Sequence, residues 1–258
     1  MQHKQKEKKA IITVKGLQKS FSTGEVEQVI INNLDLDIYE GDFTIIMGSS
    51  GAGKSTLMYA LSGMDRPSGG RILFDGKDIT EYKDDELAVF RRKNCGFVFQ
   101  QIYLLEKMSL MDNVLTTGFL TGEKKNNVIK RAEDLFDKVN LPKITRKKNS
   151  SQISGGEAQR VGIVRALINR PKVVFADEPT GALNSNNSDA VLDVFSKVHE
   201  EGQSIIMVTH DKKTALRADR IIYLKDGKIF GECLLGNYQK EDVERTRKLN
   251  QFLEEMGW

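Results

Sequence analysis

Short apolar runs alternate with helical patterns along this chain, which indicates an α/β fold. Four runs are almost wholly apolar, as is typical of buried strands in a parallel sheet; they are FTIIMG (43–48), CGFVFQ (95–100), VVFAD (173–177) and SIIMVTH (204–210). Five others, AIITV, LDLDI, RILFD, RIIYL and GKIFG, are shorter and more alternating, and turns such as the Asp-Gly pairs at 75–76 and 226–227 lie beside some of them. These five predict an antiparallel β layer that flanks the main sheet.

Two further segments carry the apolar stripe of an amphipathic helix. The stripes consist of Val128, Ile129, Ala132, Leu135, Phe136 and Val139, and of Val191, Val194, Phe195 and Val198. The first stripe lies in a region with little strand signal, about residues 101–160, which we predict to be a helical subdomain inserted into the α/β core.

The rest of the chain divides around this core. Residues 1–10 form a basic tail, residues 11–236 the main domain, and residues 237–258 a C-terminal helical extension. In the extension, Leu249, Phe252, Leu253 and Met256 share one face, which favours packing on its own domain over binding a partner.

Composition narrows the class of protein. The 258 residues are 39% hydrophobic and 29% charged, and no window approaches the 18 apolar residues of a membrane span. The polar, basic start predicts no secretory signal. Cys95 and Cys233 match no metal-ligand spacing, so we expect unpaired core thiols in a reducing cytosol. Basic runs account for much of the formal charge of +3 and favour solvated surface over a nucleic-acid site.

The stretch GSSGAGKST at 48–56 matches the spacing G-x-x-x-x-G-K-[ST] and lies between an apolar strand and a helix-compatible run. Its glycines let backbone N–H groups turn inward as an anion site, to which the following helix adds its positive end. Lys54 would neutralise phosphate charge and the Ser55 hydroxyl would bind Mg²⁺. A flexible glycine-rich turn is the structural alternative, but it does not explain the ordered set of features. The predicted ATP-binding residues are Gly48, Ser49, Ser50, Gly51, Ala52, Gly53, Lys54, Ser55 and Thr56.

A pair of acids supports this site. Asp177 and Glu178 end an apolar strand just before Pro179. Asp177 is suited to hold the magnesium ion through its water shell. Because strand side chains alternate, Glu178 should point elsewhere and act as the base that polarises an attacking water. Two solvated acids at a strand end are the structural alternative.

The segment ISGGEAQR at 153–160 completes the pattern. Ser154 and Glu157 predict a capping box at the start of a helix, which leaves Gly155 and Gly156 unexplained. With the phosphate loop before it and FADEP after it, the segment resembles the signature of ATP-binding-cassette (ABC) ATPases, and the resemblance extends from about Ile11 to Gly231. It implies the P-loop NTPase fold of that family and a homodimer with two ATP molecules between its chains. Residues 154–157, the signature segment, would then bind the γ-phosphate of ATP on the opposite chain.

The resemblance also implies roles for single residues. Gln100 matches the glutamine that senses Mg²⁺ and the γ-phosphate, and His210 matches the switch histidine that orients the water. Phe21 resembles the aromatic residue that stacks on adenine, although a core role is the structural alternative for one aromatic. Asn184 departs from the usual aspartate of the D-loop (181–184), and Glu157 stands where many members have glutamine.

The same motifs look most like the branch of macrolide exporters, lipoprotein-release ATPases, the cell-division ATPase and bacitracin-resistance transporters. The branch implies a separate, FtsX-like membrane permease, with this chain at the cytoplasmic face of the membrane and no nucleic-acid partner. Residues 100–114 are the predicted docking surface for the permease, with ordinary subdomain core as the alternative. Antimicrobial peptide export or resistance is the favoured role. A lipoprotein-release ATPase and a regulatory ATPase that signals without transporting remain alternatives, and the transported substrate lies outside this chain.

Overall fold

The computed structural model describes residues 8–24 and 26–258 of the chain. Its strands are β1 (Ala10–Thr23), β2 (Val26–Tyr39), β3 (Phe43–Met47), β4 (Gly69–Phe74), β5 (Lys77–Asp78), β6 (Cys95–Phe99), β7 (Val173–Asp177), β8 (Ser204–Val208), β9 (Arg220–Lys225) and β10 (Lys228–Leu234). Its α-helices are α1 (Lys54–Leu61), α2 (Asp84–Asn94), α3 (Leu110–Gly118), α4 (Lys125–Lys138), α5 (Lys143–Arg146), α6 (Gly155–Leu167), α7 (Ser185–Glu200), α8 (Lys212–Ala215) and α9 (Val243–Glu255). Residues 1–7 of the predicted basic tail lie outside the described residues.

The main sheet has six strands in the order β10-β9-β3-β8-β7-β6. The four runs predicted as buried parallel strands form β3, β6, β7 and β8, which confirms that part of the prediction. Every residue on these four strands is buried or half-buried, as expected when helices cover both faces of a parallel sheet.

The prediction was wrong for two runs that were assigned to the antiparallel layer. RIIYL and GKIFG form β9 and β10 of the main sheet, and β9 runs parallel to β3. Residues 220–224 of β9 are all buried, so the run is an interior strand. The Asp-Gly turn between β9 and β10 indicates an antiparallel hairpin, which these two strands do form. The turn gives no information about the sheet to which the hairpin belongs.

The second sheet has four antiparallel strands in the order β2-β1-β4-β5, and it contains AIITV, LDLDI and RILFD as predicted. The two sheets meet at β2. There Asn32 N donates to Gly227 O at 3.1 Å, so the β9–β10 turn lies against β2. A Cβ on Gly227 would lie 2.2 Å from Ile30 O, which leaves room only for glycine.

The predicted apolar stripes lie in α4 and α7, where Val128, Ala132, Phe136, Val191 and Phe195 are buried in one core. Helix α6 packs on β6 and on α3, α4 and α7. Among the helices that the structure describes, none combines the length and apolar character that crossing a bilayer requires.

Helix α9 packs on its own domain, as the sequence favoured, with Leu249, Phe252 and Leu253 buried in the core. Its approach to β10 is close, since a Cβ on Gly231 would lie 2.5 Å from the Met256 sulfur. Arg245, in the first turn of α9, holds the helix on the domain by donating hydrogen bonds to five carbonyl oxygens, those of Leu216, Ala218, Leu235, Gly236 and Asn237.

Candidate functional site

Four neighbouring parallel strands deliver the predicted site residues to one edge of the main sheet. In the order β3-β8-β7-β6, the carboxyl ends of the strands carry the phosphate loop (48–56), His210, the acids Asp177 and Glu178, and Gln100. Ligands of open α/β sheets bind beyond the carboxyl ends of the strands. The fold thus brings together segments that lie up to 162 residues apart in the sequence (48 to 210).

The phosphate loop adopts backbone angles that its glycines make possible. Gly48 has φ 149°, and a Cβ there would lie 2.1 Å from Leu224 O of β9. Gly53 has φ 94° and caps α1, and a Cβ there would lie 2.9 Å from Ile31 Cδ1. Any larger residue would therefore move the loop from its strand. Between them, Ser49, Ser50 and Gly51 are exposed, whereas Ala52 is buried.

Lys54 begins α1 and folds back over the loop. Its ammonium group donates to Gly48 O at 2.9 Å and to Ser49 O at 2.8 Å. Burial lowers the pKa of Lys54, and the negative charges of Glu178 and Asp177 oppose that shift. A cation held on the carbonyl oxygens of the loop, at the start of a helix, is suited to bind the phosphates of a nucleotide.

Asp177 accepts hydrogen bonds at both carboxylate oxygens. Ser55 Oγ donates to Oδ1 at 3.0 Å, and the Tyr59 hydroxyl donates to Oδ2 at 2.8 Å. Burial, followed by the hydrogen bond to Asp177, raises the pKa of Tyr59 to about 12. Tyr59 was not among the site residues predicted from the sequence. Its position four residues after Ser55 puts both side chains on one face of α1 and was the available signal.

Glu178 lies beside His210 and away from Asp177. Its Oε1 is 2.8 Å from His210 Nδ1, and Thr209 Oγ1 donates to its Oε2 at 3.4 Å. The side chain of Glu178 is 20% exposed and that of His210 is 68% exposed, so the pair faces solvent. Glu178 follows the last residue of β7 and has a left-handed backbone (φ 46°), which turns its side chain away from Asp177. The predicted direction was therefore right, but its cause is this backbone conformation and not the alternation of side chains along a strand. Such a strained conformation is concentrated at functional sites.

Gln100 follows β6 and is exposed. Gln100 packs closely on Gly181, since a Cβ added to this glycine would lie 3.0 Å from the Gln100 amide nitrogen. The Gly181 N–H donates to Glu178 O at 3.0 Å. Gln100 therefore borders the turn after Glu178, but no hydrogen bond among the described residues joins it to Ser55 or Asp177. Gln159 of α6, also missed, donates to Phe99 O at 3.0 Å and ties the signature helix to this strand end.

The signature segment forms the predicted capping box at the start of α6. Ser154 N donates to Glu157 Oε2 at 2.8 Å, and Glu157 N donates to Ser154 Oγ at 3.3 Å. The backbone hydrogen bond from Ser154 is the main reason that the pKa of Glu157 is lowered. No hydrogen bond among the described residues connects this segment to the phosphate loop.

The two signature glycines have different surroundings. Gly155 is exposed, and a Cβ there would lie 3.3 Å from a methyl group of Leu183. Gly156 is buried, and a Cβ there would lie 2.9 Å from three side-chain atoms of Asn187 in α7. Asn184 caps α7 by accepting from Asn187 N at 3.0 Å. The packing of α6 on Asn187 therefore explains why residue 156 is glycine. This contact could not be seen in the sequence.

Phe21 lies on the β1–β2 hairpin, where it pairs with Gln28 and is 46% exposed. The Lys19 ammonium lies 4.7 Å from its ring centroid, in the geometry of a cation–π contact. The exposed ring can offer one face to a flat ligand. Among the described residues, no hydrogen bond or aromatic contact joins it to the phosphate loop.

Comparison with known proteins gives consistent results. A sequence model of the family described as "ABC transporter" matches residues 31–181. The chain is 40% identical to the "Uncharacterized ABC transporter ATP-binding protein YknY" of Bacillus subtilis, covering 85% of this chain and 95% of that protein. It is also 40% identical to the "Macrolide export ATP-binding/permease protein MacB" of Mannheimia succiniciproducens, covering 92% of this chain but only 36% of that protein.

Solved structures show the same fold. The chain is similar to the dimeric ATP-binding cassette MJ0796 in a post-hydrolysis state bound to ADP and Pi, with a TM-score of 0.79 and 35% identity. The similarity covers 88% of this chain and 100% of that one.

Proposed function

Because this chain belongs to the ABC transporter family and carries its ATPase, we propose that two copies enclose two ATP molecules and drive a separate permease. One observation supports this arrangement most directly. The phosphate loop, Asp177, Glu178 and His210 meet at one edge of the sheet, whereas within residues 8–24 and 26–258 the exposed start of α6 makes no hydrogen bond to them. A second copy would bring its signature segment to the nucleotide, and the relative MJ0796 is itself described as a dimer.

The donors at Asp177 suit Mg²⁺. Ser55 and Asp177 offer a hydroxyl and a carboxylate whose oxygens are 3.0 Å apart. Mg²⁺ in nucleotide sites takes few protein oxygens and completes its shell with phosphates and water. Ser55 and Asp177 would hold the ion, which would supply positive charge to the β- and γ-phosphates; Gln100 remains a predicted third contact.

Each protein group then has a distinct role in hydrolysis. Loop N–H groups and Lys54 bind and neutralise the phosphates. Glu178 accepts the proton of the attacking water, and His210, held at 2.8 Å from that carboxylate, helps to orient both. The exposed ring of Phe21 would stack on adenine.

A groove beside the strand end of β6 is the proposed docking surface for the permease. It encloses about 390 Å³ between α2, β6, α3 and α6, and its lining includes Phe97, Tyr103, Leu120 and Arg165. Arg165 donates to Tyr103 O at 2.8 Å and so holds part of the predicted docking segment (100–114) against α6. Tyr103 and Leu120 are exposed apolar side chains of the kind found at interfaces.

We propose that the permease is a separate, FtsX-like subunit, and the relative YknY, which is named as an ATP-binding protein, supports a separate subunit. The chain would then work at the cytoplasmic face of the membrane. MacB relatives are named as macrolide exporters, which supports export of an antibiotic or antimicrobial peptide as the role.

Mixing two inactive variants tests the shared site. Lys54→Ala should disable the phosphate loop, and Ser154→Arg should disable the signature segment, so each variant alone should not hydrolyse ATP. A mixed dimer has one intact site, built from the loop of one chain and the signature of the other. Half of the random dimers are mixed, so an equal mixture should recover up to about a quarter of the parental rate.

The matched control mixes Lys54→Ala with a chain that carries both substitutions. No intact loop is present in that mixture, and the rate should stay at background. If the first mixture also stays at background although the two chains associate with ATP, each site is built within one chain and the proposal is wrong.

A further inference from the structure

The Asp177 carboxylate is fixed in rotation by two donors on the same helix. Ser55 and Tyr59 are four residues apart on α1, and they donate to Oδ1 and Oδ2 respectively. The terminal torsion of an aspartate is soft, so a carboxylate held at one oxygen can still turn. Donors at both oxygens remove that freedom.

The two donors differ in what they can do when a cation binds. The Ser55 hydroxyl is itself a proposed ligand, so it would leave Oδ1 to face the metal. The Tyr59 ring packs against the core cluster that contains Leu57, Leu61 and Phe175, which keeps its hydroxyl in place. The Tyr59 bond to Oδ2 would therefore remain when a metal ion binds, whereas the Ser55 bond to Oδ1 would not.

We propose that Tyr59 is a positioning residue that holds Oδ2 of Asp177 and thereby directs Oδ1 toward the metal beside Ser55. Groups that hydrogen-bond to metal ligands orient them and tune their affinity. The inference rests on the proposed Mg²⁺ site and adds to it a residue outside the phosphate loop and the strand-end acids.

The experiment measures metal affinity, because a loss of ATP hydrolysis would not distinguish a misplaced Asp177 carboxylate from a partly unfolded protein. Mn²⁺ replaces Mg²⁺, and the EPR signal of free Mn²⁺ is titrated against the full chain in complex with ADP. The variants are Tyr59→Phe, which removes only the hydroxyl, and the matched control Tyr82→Phe. Tyr82 is a half-buried tyrosine beside Phe90, and no hydrogen bond of its hydroxyl occurs among the described residues.

Tyr59→Phe should weaken Mn²⁺ binding about tenfold, whereas Tyr82→Phe should leave it unchanged. Binding of ADP in EDTA should be the same for all three proteins. Circular dichroism confirms that each variant is folded. Unchanged Mn²⁺ affinity in folded Tyr59→Phe overturns the inference.

A double-mutant cycle tests the route through Asp177. In an Asp177→Asn background, Tyr59→Phe should cause no further loss of Mn²⁺ affinity. An equal loss in both backgrounds would show that Tyr59 acts by another route and would overturn the inference. If the parental complex binds no Mn²⁺ at all, the proposed metal site fails, and that result is distinct from failure at Tyr59 alone.

Discussion

The two signature glycines offer a direct test of why glycine is present at each position. Gly155→Ala and Gly156→Ala add the same methyl group at neighbouring positions in the first turn of α6. Alanine gains up to about 1 kcal/mol over glycine inside a helix, and less near its end. At Gly155, the nearest atom to the new methyl is a flexible Leu183 methyl group at 3.3 Å.

Gly156 differs because the new methyl would lie 2.9 Å from Cβ, Cγ and Oδ1 of Asn187. Overpacking of this kind costs about 1–3 kcal/mol, which exceeds the gain in helix propensity. We expect Gly155→Ala to raise the free energy of unfolding by a few tenths of a kcal/mol. We expect Gly156→Ala to lower it by about 1 kcal/mol.

Urea unfolding followed by circular dichroism, without nucleotide, measures both changes on the monomer. Asn187→Ala removes two of the three crowding atoms, so it should recover part of the stability of Gly156→Ala. If Gly156→Ala is as stable as Gly155→Ala, the steric argument is wrong. Gly156 would then have to be explained by the partner's nucleotide alone.

Glu178 and Glu157 can each be tested by replacement with glutamine. Glu178→Gln should retain ATP binding and accumulate an ATP-bound dimer by size-exclusion chromatography, because the base is lost but the phosphate contacts remain; hydrolysis at the parental rate would contradict the assignment. Glu157 has a lowered pKa when folded, so its stabilising effect is complete above the unfolded value of about 4.3 and is lost as pH falls through the folded pKa. Urea titrations across that acidic range should show this loss in the parental chain, and Glu157→Gln should remove this component.

Local patterns predicted most of the elements that build the site. The phosphate loop, the acids at the end of β7 and the capping box of α6 are each encoded within about ten consecutive residues, where spacing and chemistry can be read directly. The four buried strands were equally clear, since a continuous apolar run needs cover on both faces.

The misses share a different origin. Strand β9 was assigned to the wrong sheet because a tight turn at residues 226–227 resembles any hairpin. The direction of Glu178 depends on one left-handed residue, which no alternation rule foresees. The contact between Gly156 and Asn187 joins segments 31 residues apart in sequence (156 to 187), and only the packing of α6 on α7 creates it.

Helix α9, held in place by Arg245, covers a cysteine of β10. The thiol of Cys233 is buried on β10, two residues from Gly231 and on the same side of the strand, where α9 packs. Burial also raises the pKa of this thiol and so suppresses its reactive thiolate. A thiol reagent can therefore react with Cys233 only when α9 separates from β10. The rate of labelling at Cys233 would measure how often this local opening occurs.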